Sequence, residues 1–189
     1  MFDYLGVLIS IILGLALTHL LLGLSRLIHM RRTMKPYWVH VVWTFNILLY
    51  VLGYWWGMYW WKHQASWTIQ QFFFLTSYAT MLFMLGSMLY PPECPEDLDL
   101  ETYFFDNRQW FFGIQLAAML LDIPETLLKG TEGLRAVPRE YMVIMPLFLA
   151  IAVTGLFTAN RKVHAVLAPA WLVLIIGYET LTSLDKIVT

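Results

Sequence analysis

Four polar residues on one membrane-length apolar stretch, Gln115, Asp122, Glu125 and Lys129, are separated by seven, three and four positions. That spacing stacks them on one face of an α-helix. An ionised acid near a bilayer centre costs at least about 2.5–3.5 kcal/mol on insertion scales, so two acids one turn apart must face protein, water, a cation or a proton. Mutual repulsion in a low dielectric would let such a pair hold a proton near neutrality. Pro124, between the acids, removes one backbone donor and frees the carbonyl of Leu120, which fits a kinked helix lining a polar cavity. Proton or cation handling is the chemistry this pattern supports.

Depth decides which other residues join them, because residues distant in sequence meet in a membrane only when their helices carry them to the same level. Glu179 falls in the outer half of the last apolar stretch and would complete a three-acid site with Asp122 and Glu125. Gln115, Asn46 and His19 would continue it inward, His19 and Asn46 standing at comparable distances from the inner ends of the first two stretches. A histidine at that depth relays protons or binds metal, or is neutral and hydrogen-bonded to a neighbour such as Asn46. A structural reading stands beside the functional one: Glu125 and Glu179 snorkel to the interface, and Asp122 alone is buried against an amide or a hydroxyl.

Other chemistries find less support. His29, His40 and His164 lie near the inner interface, but no HxxxH or ExxH spacing occurs on one helix, so neither a metal nor a haem is expected and no cofactor is assigned. No GxSxG elbow occurs either, and no catalytic residue is named. The formal charge of −1, without a long basic run, gives no reason to expect nucleic acid. The single cysteine, Cys94, forms no internal disulfide.

The elements that must position these residues follow from composition. The chain is 59% hydrophobic and 13% charged, with a mean hydropathy of +0.62, against about 25% charged in soluble domains. The fold class is all-α: a polytopic transmembrane helical bundle in a single domain over 1–189, with spans at 4–28, 37–61, 68–90, 109–129, 141–160 and 165–184. The third span stops at Pro91, Pro92 and Pro95. Residues 93–108 hold six acids against one arginine, interleaved with Leu98, Leu100, Tyr103, Phe104 and Phe105. They predict a short amphipathic helix lying on the cytoplasmic surface between the third and fourth spans. Its acids Glu96, Asp97, Asp99 and Glu101 would offer a docking surface to a soluble cytoplasmic partner.

Arg26, Arg31, Arg32 and Lys35 follow the first span, so the positive-inside rule puts this loop in the cytoplasm and, with six spans, both termini outside. A bacterial inner membrane is the expected location. The aromatic run from Tyr54 to Trp61 would mark the outer interface. Gly6, Ser10, Gly14 and Thr18 recur at a spacing of four, a small-residue stripe suited to close helix contact. A single copy of this size holds only a narrow pathway, so association into a homo-oligomer is expected. Three spans on either side of the acidic segment are compatible with an inverted repeat. Two functions follow: a proton or cation channel or transporter with an intramembrane acidic site, or a non-catalytic membrane subunit that docks a partner through its acidic segment.

Overall fold

The computed structural model describes residues 2–64, 67–93, 95, 97–128, 137 and 139–188. Six α-helices account for nearly all of them: α1 (Phe2–His29), α2 (Trp38–Gly57), α3 (Ile69–Ser87), α4 (Leu100–Leu128), α5 (Tyr141–Phe157) and α6 (Arg161–Val188), with a 3₁₀ turn (Met58–His63) after α2. Among the described residues no strand is present beyond one isolated bridge between Lys35 and Asp99. Four helices are long and apolar enough to cross a membrane: α1, α2, α3 and the Arg161–Thr180 part of α6. The chain is an integral membrane protein. α5 is a shorter apolar helix of 17 residues, and α4 carries Gln115, Asp122 and Glu125 among its apolar residues.

The two faces of α1 show which solvent this fold is built for. Leu5, Ile9, Leu13, Ala16, Leu20 and Gly23, at spacings of three and four, are buried, while Tyr4, Val7, Ile11, Leu15 and Leu22 on the other side are more than half exposed. Apolar surface on both sides belongs in lipid, where helices are held together by close packing and buried polar contacts rather than by exclusion of water. Packing is accordingly tight where glycine permits it. A Cβ placed at Gly23 would stand 2.2 Å from the Tyr90 ring, and one at Gly155 would stand 2.5 Å from the Phe112 ring. The stripe behaves differently: a Cβ at Gly6 or Gly14 would meet nothing within 4 Å, and Ser10 accepts the Trp55 indole N–H at 3.2 Å. Within this chain the stripe is therefore not a close helix contact. α1 instead lays Ala16 and Leu20 against Gly86 of α3.

The helices form a ring in the order α1, α3, α4, α5, α6, α2, and α2 also touches α3 and α4 across it. α2 is thus the inner helix, with His40, Trp43, Thr44, Asn46, Ile47 and Val51 buried. α2, α4 and α6 run in the same direction. Tyr37 stacks near Phe104, and two turns later Trp43 packs on Phe111, Phe112 and Trp171; further along, Glu179 lies beside Gly53. The halves do not repeat one another: α1 packs closely along α3, whereas among the described residues the equivalent pair, α4 and α6, meets through side chains near their starts, Glu101 with Arg161 and Phe104 with His164, without close backbone approach.

Two expectations are corrected. Residues 100–108 are not a separate surface helix: they are the first turns of α4, which runs unbroken for 29 residues. No glycine or proline lies between Leu100 and Gly113 to stop it. Its start is fixed by Asp99, whose carboxylate accepts from the amides of Glu101 (3.0 Å) and Thr102 (3.2 Å). Around it Lys35 N–H donates to Leu98 O and Leu100 N–H to Lys35 O, both at 3.1 Å, while ion pairs join Lys35 to Asp99 (3.7 Å) and Arg161 to Glu101 (2.9 Å). The aromatic run is also divided. Trp55, Trp56 and Tyr59 are exposed, but the 3₁₀ turn folds Trp61 back into the bundle, where it is 1% exposed.

The glycine contacts predict a contrast. Gly23→Ala should lower stability in detergent by about 1–3 kcal/mol through overpacking against Tyr90, whereas Gly6→Ala should be neutral or slightly stabilising because alanine favours the helix and meets nothing. Thermal unfolding of the two variants measures it; equal stabilities would mean that the Tyr90 ring yields without cost.

Candidate functional site

Near the 3₁₀-turn end of the bundle, tyrosines from four helices surround Asp122. On α2, Tyr50 and Tyr54 are one turn apart and both face inward. The Tyr50 hydroxyl meets that of Tyr78 on α3 at 3.0 Å, and Tyr78 in turn donates to Asp122 Oδ1 at 3.5 Å. Tyr141, at the start of α5, donates to Asp122 Oδ2. Tyr54 donates to the Leu75 carbonyl at 3.1 Å and packs its ring 4.6 Å from that of Tyr78, while the Tyr178 ring of α6 lies 6.4 Å from Tyr141.

The proton count gives this row a direction. A hydroxyl has one proton to donate, and Tyr78 directs its own at Asp122, so Tyr50 must donate to Tyr78. Protons on Tyr50, Tyr78 and Tyr141 therefore all point toward one carboxylate. When that carboxyl takes up a proton it becomes a donor, and each hydroxyl can reverse by rotating about its C–O bond. Such a row can pass a proton between helices without moving a heavy atom far.

Glu125, one turn along α4, is 8% exposed and has a different partner: the Trp61 indole N–H donates to its Oε1 at 3.0 Å. The two acids share a helix face, as the spacing predicts, but are held by separate donors. Glu179 is exposed at its position on α6, with Oε1 directed at the Gly53 backbone of α2, where a Cβ would come within 3.4 Å. Lys129 lies outside the described residues.

The inward candidates are dispersed. His19 donates through Nε2 to the Tyr90 carbonyl at 3.0 Å; a carbonyl can only accept, so Nε2 carries the proton. Asn46 donates through Nδ2 to the Ala168 carbonyl of α6 at 2.9 Å. His19 and Asn46 are thus not partners. Gln115 is fully buried, and neither atom of its amide finds a hydrogen-bond partner among the described residues. His40 and His164 are both buried and set edge-on to Phe104, at 6.2 and 5.4 Å between ring centres. His164 Nε2 donates to the Thr158 carbonyl at 2.9 Å. Among the described residues no group of three or more His, Cys, Asp or Glu side chains is placed to hold a metal ion. Of the acidic segment, Asp97 is exposed, Asp99 and Glu101 are engaged within the chain as given above, and Glu96 lies outside the described residues.

The tyrosines and Trp61 are the partners of the candidate acids that sequence reasoning missed. The available signal was their pairing of depth with the acids: Tyr50, Tyr54 and Tyr78 stand on helices adjacent to the acidic stretch, yet their types equally suit core and interface packing. Comparison with protein-family models, curated proteins and solved structures finds no match to this chain.

Asp99 gives a pH prediction at the opposite end of the bundle. The Thr102 amide, then the Glu101 amide and the Lys35 ammonium, hold its carboxyl below the ordinary carboxylate range. A folded-state value below the unfolded value of about 3.9 contributes stability that is present above that pH and lost as the pH falls through the folded value. Asp99→Asn retains a capping side chain that does not titrate, so wild type should lose its advantage over this variant on acidification below about pH 4. Thermal unfolding against pH checks it; a constant gap between the two curves would show that Asp99 is not linked to folding.

Proposed function

We propose that the chain is a six-helix membrane protein in which α4 and α5 also span the bilayer, and that it passes protons through the acid–tyrosine cluster centred on Asp122. The observation that carries this reading is the row Tyr50–Tyr78–Asp122–Tyr141, which joins α2, α3, α4 and α5 through one carboxylate. A half-buried acid reached by hydroxyl donors from two other helices has what a proton relay requires: a titrating group, exchangeable neighbours and shelter from bulk water. The positive charges after α1, with Arg161 and Lys162 at the start of α6, support an orientation with the Lys35–Asp99 end in the cytoplasm and the cluster in the outer half. At about 1.5 Å per residue the 29 residues of α4 exceed a hydrocarbon core of about 30 Å. A bacterial inner membrane suits this orientation.

The alternative, a non-catalytic subunit that docks a soluble partner through its acidic segment, has less support. Asp99 and Glu101, two of the four acids that would form the docking surface, have internal cationic partners and the first of them also caps α4.

Purified protein in liposomes loaded with a pH-sensitive dye provides the test. Wild type should acidify the lumen down an imposed pH gradient. Asp122→Asn should slow this by at least about tenfold, the effect of about 1.4 kcal/mol on a barrier. Tyr141→Phe should give an intermediate rate. Equal rates for all three proteins, or a wild type no leakier than empty liposomes, would sink the proposal.

A further inference from the structure

Between the tyrosine cluster and the cytoplasmic end, the interior of the bundle holds polar atoms that its packing does not satisfy. Trp43 and Asn46 of α2 and Gln115 of α4 are fully buried, and Trp171 of α6 is 2% exposed. Both indole nitrogens, both atoms of the Gln115 amide and Oδ1 of Asn46 lack a hydrogen-bond partner among the described residues. These five atoms belong to one level of the fold. The Trp43 and Trp171 rings are 5.6 Å apart, and Trp43 packs on Phe111 and Phe112 at 5.4 and 5.2 Å. Asn46 stands one turn beyond Trp43, and Gln115 one turn beyond Phe111, on helices that run in the same direction.

Buried hydrogen-bonding groups are almost always satisfied, and buried water, making about three hydrogen bonds each, is the usual partner when protein groups do not reach. The belt offers what water needs: three nitrogen donors from Trp43, Trp171 and Gln115, and two oxygen acceptors from Gln115 and Asn46. We propose that this belt binds a short file of internal water that connects Asp122 to the cytoplasmic half, with Gln115 and Asn46 as its positioning residues. Gln115 and Asp122 share a face of α4 seven residues apart, about 10 Å along the axis. Two or three waters at about 2.8 Å per hydrogen bond cover that gap. Beyond the belt on α2 lies His40, buried, with the Leu89 carbonyl close to its ring and neither ring nitrogen in hydrogen-bond geometry with a neighbour among the described residues. The route rests on the proton-passage reading, but the water site does not.

The experiment reads the two separately. X-ray radiolysis generates hydroxyl radicals from water wherever it sits, including inside a membrane protein, and oxidises the side chains beside it. In wild type reconstituted in liposomes, mass spectrometry should find Trp43 and Trp171 modified. In Gln115→Leu and in Asn46→Val that modification should fall severalfold, and proton flux should fall at least tenfold. An unmodified Trp43 and Trp171 in wild type would overturn the water site whatever the flux, because the buried amides then satisfy one another by direct contact. Modification that persists undiminished in both variants would overturn the role of Gln115 and Asn46. If modification falls while a measurable flux does not change, the water is off the path and the route is wrong. If wild type is modified but conducts nothing, the water site stands and the proposed function fails.

Discussion

Lipid offers no hydrogen-bond partner, so the polar contacts that join distant elements inside this bundle shape the structure more than apolar burial does. α1 is as oily outside as inside, so burial alone cannot say which face turns inward. What selects the arrangement is a set of polar contacts between elements: His19 to the Tyr90 carbonyl, Asn46 to the Ala168 carbonyl, Tyr50 to Tyr78, Tyr78 to Asp122, Trp61 to Glu125. Each bridges two elements distant in sequence. Breaking one leaves a buried group exposed to hydrocarbon, at a cost of about 1–3 kcal/mol or more for a charged group.

These contacts sort by depth into three tiers. At the Lys35–Asp99 end backbone pairing and two ion pairs lock the start of α4 to the first loop and to α6. In the middle, aromatic rings interlock around Trp43 and leave the amides of Gln115 and Asn46 among them. Toward the other end the tyrosines converge on Asp122. α2 runs through all three tiers and approaches α3 and α4 across the ring as well as its neighbours α1 and α6. Lys35, Tyr90 and Trp61 lie at the ends of helices, so the connections as well as the helices carry the packing.

Hydropathy and turn residues were sufficient for the helices, because a membrane-length apolar run has few alternatives and Pro36, Pro91 and Pro92 punctuate the chain clearly. The helical period was sufficient for placing Asp122 and Glu125 on one face. It could not assign their partners. Tyr78, Tyr141 and Trp61 are 44, 19 and 64 residues away from the acids they bind, and only the packing of α3, α5 and the 3₁₀ turn against α4 brings them there. The continuity of α4 was missed because charge density between 93 and 108 suggests a surface helix, although no glycine or proline interrupts residues 100–112. His19 and Asn46, at comparable distances from the ends of their helices in the sequence, take different partners, the Tyr90 and Ala168 carbonyls, a choice that position along a helix does not contain.

If Asp122 is the group on which proton transfer turns, its carboxyl must gain and lose a proton while the tyrosines keep their places. Infrared difference spectroscopy against pH on the protein in lipid observes that carboxyl directly. A C=O stretch that grows on acidification, vanishes in Asp122→Asn and shifts in frequency in Tyr141→Phe is the predicted result. The absence of any titrating band that depends on Asp122, over the whole range in which the protein remains folded, would contradict it and make the acid–tyrosine cluster a packing device.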